Sequence, residues 1–382
     1  MPKRSMAVVR PFAPNIAEMA VYRPFLNDYE VTFYYTGPKE DSVRRELDAI
    51  GLEQMRIVRY RGYTDHLRSS FVQRALDFKV GLGSLMLSHV TEALQADVLN
   101  VVDPIYAHVR QLVPKLKPQQ KLVYTISENI VGRYDLIHLA ARKVRSVLSR
   151  GDAFLCVSDA ARGALLQAEG DVLRKDALVR SIYQGVLLPP WQERRPSQLP
   201  VILFVGRPQW SKGLHILLAA FGMVTQQMKV KARLCVIGIA PQVISAQVKR
   251  LGIESDIDIT GRMSNTEVRE RMRTGSVYCF PSLVTVNWTE QFGYGMVEAM
   301  SYGLPIVANY SGSIPEVCGP DGVYASTGNA FSLAQALASV LRSPDGGHEL
   351  GLRMRRRAEQ ELDANKQGQK LLAATEELFG SR

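Results

Sequence analysis

The chain has 382 residues, 46% of them hydrophobic and 22% charged, with a formal net charge of +10. That length favours two domains, each able to bury a core, and no window approaches the roughly 18 apolar residues of a membrane-spanning helix. Cys156, Cys235, Cys279 and Cys318 lie far apart with no C-x-x-C spacing, which excludes a disulfide scaffold and reads as buried thiols in a reducing compartment. The apolar run after Lys3 and Arg4 is too short for a secretory leader, so a cytoplasmic setting is expected.

The charge is uneven. Residues 101–150 hold nine Lys/Arg against three Asp/Glu. This is either a solvated helix face or a surface for an anionic partner such as the inner leaflet of a membrane. No nucleic-acid-binding motif accompanies it, and nucleic acid is not expected as a partner.

In chain order, short apolar strands are predicted at residues 6–9, 31–35, 55–58, 98–102, 122–126 and 153–157, with a long helical region over 69–96. Strands alternating with helices imply a parallel sheet. Ser158 is placed to cap a helix starting near Ala160. Pro189, Pro190, Pro196 and Pro200 mark a boundary, giving domains 1–190 and 191–382. The pattern then restarts with strands at 201–205, 233–237, 257–260, 277–280 and 306–308. A final helix over about 367–379 is assigned to the second domain.

Two loops carry candidate chemistry. The first, Gly206-Arg207-Pro208-Gln209-Trp210-Ser211-Lys212-Gly213, joins a strand to a helix without the Gly-Lys-Ser/Thr order of a P-loop. Its two cations can neutralise a departing diphosphate. The second, TEQFGYGMVEAMSYGLPIVA over 289–308, places Glu290 and Glu298 on either side of Gly293 and Gly295. A glycine-led helix start offers N–H groups and the positive end of a dipole. Acids flanking it can hold hydroxyl groups, which fits a sugar joined to a nucleotide. Gly303-Leu304-Pro305 ends that helix.

These blocks resemble glycosyltransferase family four. VGRPQWSKGLHILLAAF is similar to its G-R-x-x-x-x-K-G segment, and 289–317 to its E-x-F-G…E-A-M…G-x-P-V…G-G-x-P-E block, with the E-x7-E signature of retaining enzymes. The stretch 258–262 resembles the strand whose following turn, with Arg262, faces the base. The resemblance covers roughly 150–345. It implies an α/β GT-B fold, two Rossmann-like doubly wound parallel-sheet domains facing a cleft.

By position, it implies that Arg207 and Lys212 grip the donor diphosphate beside Gly206 and that Glu290 faces the donor sugar. Glu298 would bind ribose hydroxyls, and Phe292, Gly293 and Tyr294 would offer backbone N–H groups. It implies a metal-independent hexosyltransferase, with no cofactor, acting on a UDP- or GDP-sugar and a saccharide or lipid-linked acceptor. Peripheral membrane contact would suit such an acceptor.

Upstream the chain departs from the family. The loop after the first strand lacks glycine, and Ser127-Glu128-Asn129 stands where family members commonly carry histidine. Glu128 and Asn129 either line the cleft on the acceptor side, or cap a turn and face solvent. Two other readings remain at this stage, a GT-B nucleotide-sugar epimerase and a non-catalytic subunit binding sugar nucleotides or polyanions. Asp256-Ile257-Asp258 matches D-x-D but reads as structural. Arg353, Arg355, Arg356 and Arg357 read as a solvated helix face.

Overall fold

A strand buried on both faces is predominantly apolar, and that is how the interior strands of this chain read. All five residues of β4 (Val98–Val102) are buried. The computed structural model describes residues 2–11, 16–37, 39–62, 85–127, 145–195, 197–285 and 288–380. Most of the helical region expected over 69–96, together with Glu128 and Asn129, lies outside them.

Contacts divide the chain into two compact units. The first, residues 1–185 and 364–382, holds β1 (Arg4–Val9), β2 (Tyr29–Tyr35), β3 (Arg56–Arg59), β4, β5 (Lys121–Ile126), β6 (Ala153–Cys156) and β7 (Leu178–Ser181). These form a sheet in the order β3-β2-β1-β4-β5-β6-β7, and every pairing is parallel. Ser158 caps the helix Asp159–Glu169 as expected, its hydroxyl accepting from Ala161 N at 3.0 Å.

The second unit, residues 186–363, holds β8 (Val201–Val205), β9 (Arg233–Ile237), β10 (Ile257–Gly261), β11 (Val277–Phe280), β12 (Ile306–Asn309) and β13 (Val323–Ala325). Their order is β10-β9-β8-β11-β12-β13, again all parallel. The chain winds outward from β8 to one side and from β11 to the other. Ligands of doubly wound sheets bind at the carboxyl ends of the strands flanking such a reversal.

Two expectations are corrected. The terminal helix, Ala364–Glu376, belongs to the first unit and not the second. Its Leu371 and Ala374 join the first core, and Arg4 pairs with Glu376 at 2.8 Å. Gly368 lies so close to Val21 that an added Cβ would sit 2.2 Å from the Val21 carbonyl oxygen. The arginines of the helix His348–Glu361 are also not a uniformly solvated face. Arg355 is 7% exposed and donates to the Pro189 carbonyl at 3.1 Å. Arg357 donates to the Val317 and Glu316 carbonyls at 2.8 and 2.7 Å, and Arg353 pairs with Asp321 at 2.7 Å. Buried carbonyls at helix ends require donors, and the guanidinium fork supplies several at once. Arg356 is exposed, as expected.

Candidate active site

The exits of β8 and β9 are drawn together by glycine. Gly238, at φ +95°, could not carry a side chain, since an added Cβ would lie 2.5 Å from the Gly206 carbonyl oxygen. Gly206 N in turn donates to the Ile237 carbonyl at 3.0 Å. Beyond Arg207 the chain makes one 3-10 turn, Trp210–Lys212. It enters the helix Leu214–Gly222 through Gly213 at φ +70°. A Cβ on Gly213 would lie 1.9 Å from the Pro281 carbonyl oxygen, so the β8 loop can press against the β11 loop only with glycine there.

That approach delivers Lys212 to Glu290. Lys212 Nζ lies 2.8 Å from Glu290 Oε2, with side chains 18% and 11% exposed. Ser282 Oγ donates to the same oxygen at 3.1 Å. The ammonium also sits 4.6 Å from the centre of the Trp288 ring and 5.7 Å from that of Phe280. Two loops from the two central strands of the sheet thus share one mostly buried ion pair, at the point where the strand order reverses.

A third loop supports this wall. Asn309, at the end of β12, donates through Nδ2 to the Pro281 carbonyl at 2.8 Å. Ser311 Oγ donates to the Ser282 carbonyl at 3.0 Å, and Ser313 N to the Glu290 carbonyl at 3.0 Å.

The helix carrying the second acid is Tyr294–Ser301, entered through Gly293 at φ +84°. Phe292 is buried and meets Tyr294 edge-on, with ring centres 5.2 Å apart. Gly295 lets the helix close on Tyr278, whose hydroxyl would be 2.6 Å from an added Cβ. Glu298 is half-buried in this helix. Burial raises its carboxyl above the usual carboxylate range, with Arg269 opposing. Gly303 ends the helix at φ +72°, and Leu304 N donates to the Ala299 carbonyl at 3.1 Å.

Of the sequence-predicted residues, the structure brings Lys212 and Glu290 into contact. Arg207 is exposed on the Lys212 loop, and Arg262 is exposed at the exit of β10. Asp258 pairs with Arg271 at 3.3 Å. No group of three His, Cys, Asp or Glu among the described residues is arranged to hold a metal ion. Sequence reasoning missed Ser282 and Trp288. Ser282 lies two residues beyond the end of β11 and Trp288 two residues before Glu290, and proximity to that acid is the one signal either gave.

The family described as glycosyl transferases group 1 matches residues 190–361. The chain carries a glycosyl transferases group 1 domain. Lys212, Glu290 and the helix Tyr294–Ser301 all lie inside it. The MMP alpha-(1→4)-mannosyltransferase of Mycolicibacterium hassiacum is 36% identical over 114 residues, 29% of this chain and 26% of that protein. The putative colanic acid biosynthesis glycosyltransferase WcaL of Escherichia coli is 27% identical over 200 residues, 51% of this chain and 49% of that protein. The chain thus spans about half or less of these curated relatives. HepE of Anabaena, solved in complex with UDP, matches with a TM-score of 0.73 at 17% identity, covering 98% of this chain and 100% of that one. The group 1 domain and the unit before it have the GT-B fold, two Rossmann-like parallel sheets.

Proposed function

We propose that the chain is a retaining glycosyltransferase, moving a hexosyl group from a UDP- or GDP-sugar to a saccharide or lipid-linked acceptor of cell-surface polysaccharide or glycolipid synthesis. The observation that carries this reading is the Lys212–Glu290 ion pair, held 2.8 Å apart between the two central strand exits. A carboxylate there can accept hydrogen bonds from sugar hydroxyls, and the ammonium beside it can meet a phosphate oxygen.

In this reading the acceptor hydroxyl attacks the anomeric carbon on the face the diphosphate leaves. The anomeric carbon–oxygen bond to phosphate breaks, the new glycosidic bond forms, and the acceptor proton passes to the departing diphosphate. Lys212 and Arg207 stabilise the charge that develops on that diphosphate, without a metal. Glu298 binds ribose hydroxyls, and Gly206, Arg262 and the 292–294 backbone complete the donor site. UDP in HepE supports including UDP-sugars. The names of the mannosyltransferase and WcaL support a saccharide acceptor.

No helix among the described residues is long and apolar enough to cross a membrane. The basic surplus of 101–150, with Lys115 and Lys117 exposed, supports peripheral contact with an anionic inner membrane face, which salt-dependent vesicle binding tests. The function is tested by incubating the protein with a panel of UDP- and GDP-sugars, with and without acceptors, and assaying nucleoside diphosphate. Release with one donor, raised by an acceptor, is expected; no release with any donor refutes the reading.

A further inference from the structure

Lysine is a flexible point charge with three N–H donors, and its effect on a leaving group depends on where those donors aim. In this chain one direction from Lys212 Nζ is taken by Glu290 at 2.8 Å. A second is covered by the Trp288 ring, whose centre lies 4.6 Å away. That is well inside the range of a cation–π contact, and tryptophan gives the strongest such contact of the aromatic residues. The Trp288 backbone is itself fixed. Thr285 N donates to the Trp288 carbonyl at 2.8 Å, and Trp288 N donates to the Thr285 carbonyl at 3.3 Å. Thr285 Oγ1 adds a third bond to the Trp288 carbonyl, at 3.3 Å.

We propose that Trp288 is a positioning residue for the transfer reaction. Its indole face holds the Lys212 ammonium against Glu290 and excludes water from that side. The remaining N–H donor is left for the departing diphosphate. An aromatic face suits this task because it attracts the cation without competing as a hydrogen-bond acceptor for its donors. This inference rests on the glycosyltransferase reading.

The test is a double-mutant cycle of Trp288→Leu and Lys212→Ala, with Trp288→Phe as the conservative variant. In the wild-type background Trp288→Leu should lower kcat about 5- to 30-fold, the upper range of a cation–π contact, with donor KM within about threefold. Trp288→Phe keeps a ring face and should stay within about threefold of wild type. In the Lys212→Ala background Trp288→Leu should change the residual rate less than about twofold. The same four proteins, titrated with UDP or GDP by calorimetry, give the coupling if the Lys212→Ala rate falls below detection.

Equal losses from Trp288→Leu with and without Lys212, in either readout, would overturn the proposal, as would equal losses in the Phe and Leu variants. If the wild-type protein releases no nucleoside diphosphate from any donor, the functional reading fails first. That outcome is visible without any variant, and this inference falls with it.

Discussion

Glu290 Oε2 accepts from Lys212 Nζ at 2.8 Å and from Ser282 Oγ at 3.1 Å. One oxygen of one carboxylate therefore ties the loop after β8 to the loop after β11. Removing either charge leaves the other mostly buried and uncompensated. Lys212→Ala and Glu290→Gln should each lower donor turnover by at least about 100-fold. Each should also cost about 1–3 kcal/mol of stability, less than a fully buried pair because both side chains are partly exposed. The double variant Lys212→Met/Glu290→Gln should recover part of that stability and none of the turnover. Kinetics and thermal unfolding of the three proteins check this.

Gly213 is a second point of dependence. At φ +70°, with an added Cβ 1.9 Å from the Pro281 carbonyl oxygen, Gly213→Ala must both strain the backbone and push the two loops apart. A loss of about 2–4 kcal/mol is expected, with donor turnover falling because Lys212 is the adjacent residue. Chemical denaturation alongside kinetics measures both.

Glu298 should trade stability for binding. Its folded carboxyl is raised by burial, so the protonated form favours folding. The associated stability is present below the unfolded carboxylate range and lost as pH rises through the folded value. Glu298→Gln removes that cost, so its melting temperature at pH 7–8 should equal or exceed that of wild type. The difference should shrink as pH falls toward 4. If Glu298 holds ribose hydroxyls, donor KM should rise about tenfold.

In the first unit, burial pulls the His108 imidazole down to about 3, with Arg110 adding to the effect. The unfolded chain takes up a proton near pH 6.5 that the folded chain refuses. Stability from this group is therefore intact above that pH and lost as pH falls from 6.5 toward 3, by up to about 1.4 kcal/mol per pH unit. Urea unfolding at several pH values should show a shallower acid loss for His108→Gln than for wild type.

What could be read from the residues follows from how local each signal is. β8 is a continuous apolar run and β4 is one but for Asn100, because both faces of a doubly wound sheet are covered. β7 (Leu178–Ser181) escaped notice because none of its four residues is fully buried, and β13 has only three residues. The loops at 206–213 and 289–298 were legible because glycines and charged residues are contiguous in them. Trp288 was not, since its meaning comes from Lys212, far off in sequence and 4.6 Å away in space. The terminal helix's place in the first unit is illegible in sequence for the same reason, because its partners Arg4 and Tyr29 lie at the opposite end of the chain.

Transfer from a nucleotide sugar would take place at the Lys212–Glu290 site. Its most direct test is nucleoside diphosphate release from the donor found in the panel, measured side by side for wild type and Glu290→Gln, with and without EDTA. Wild type should show acceptor-stimulated release, unchanged by EDTA, and the variant release reduced at least about 100-fold. Equal release by both proteins, or loss of wild-type release in EDTA, would contradict it.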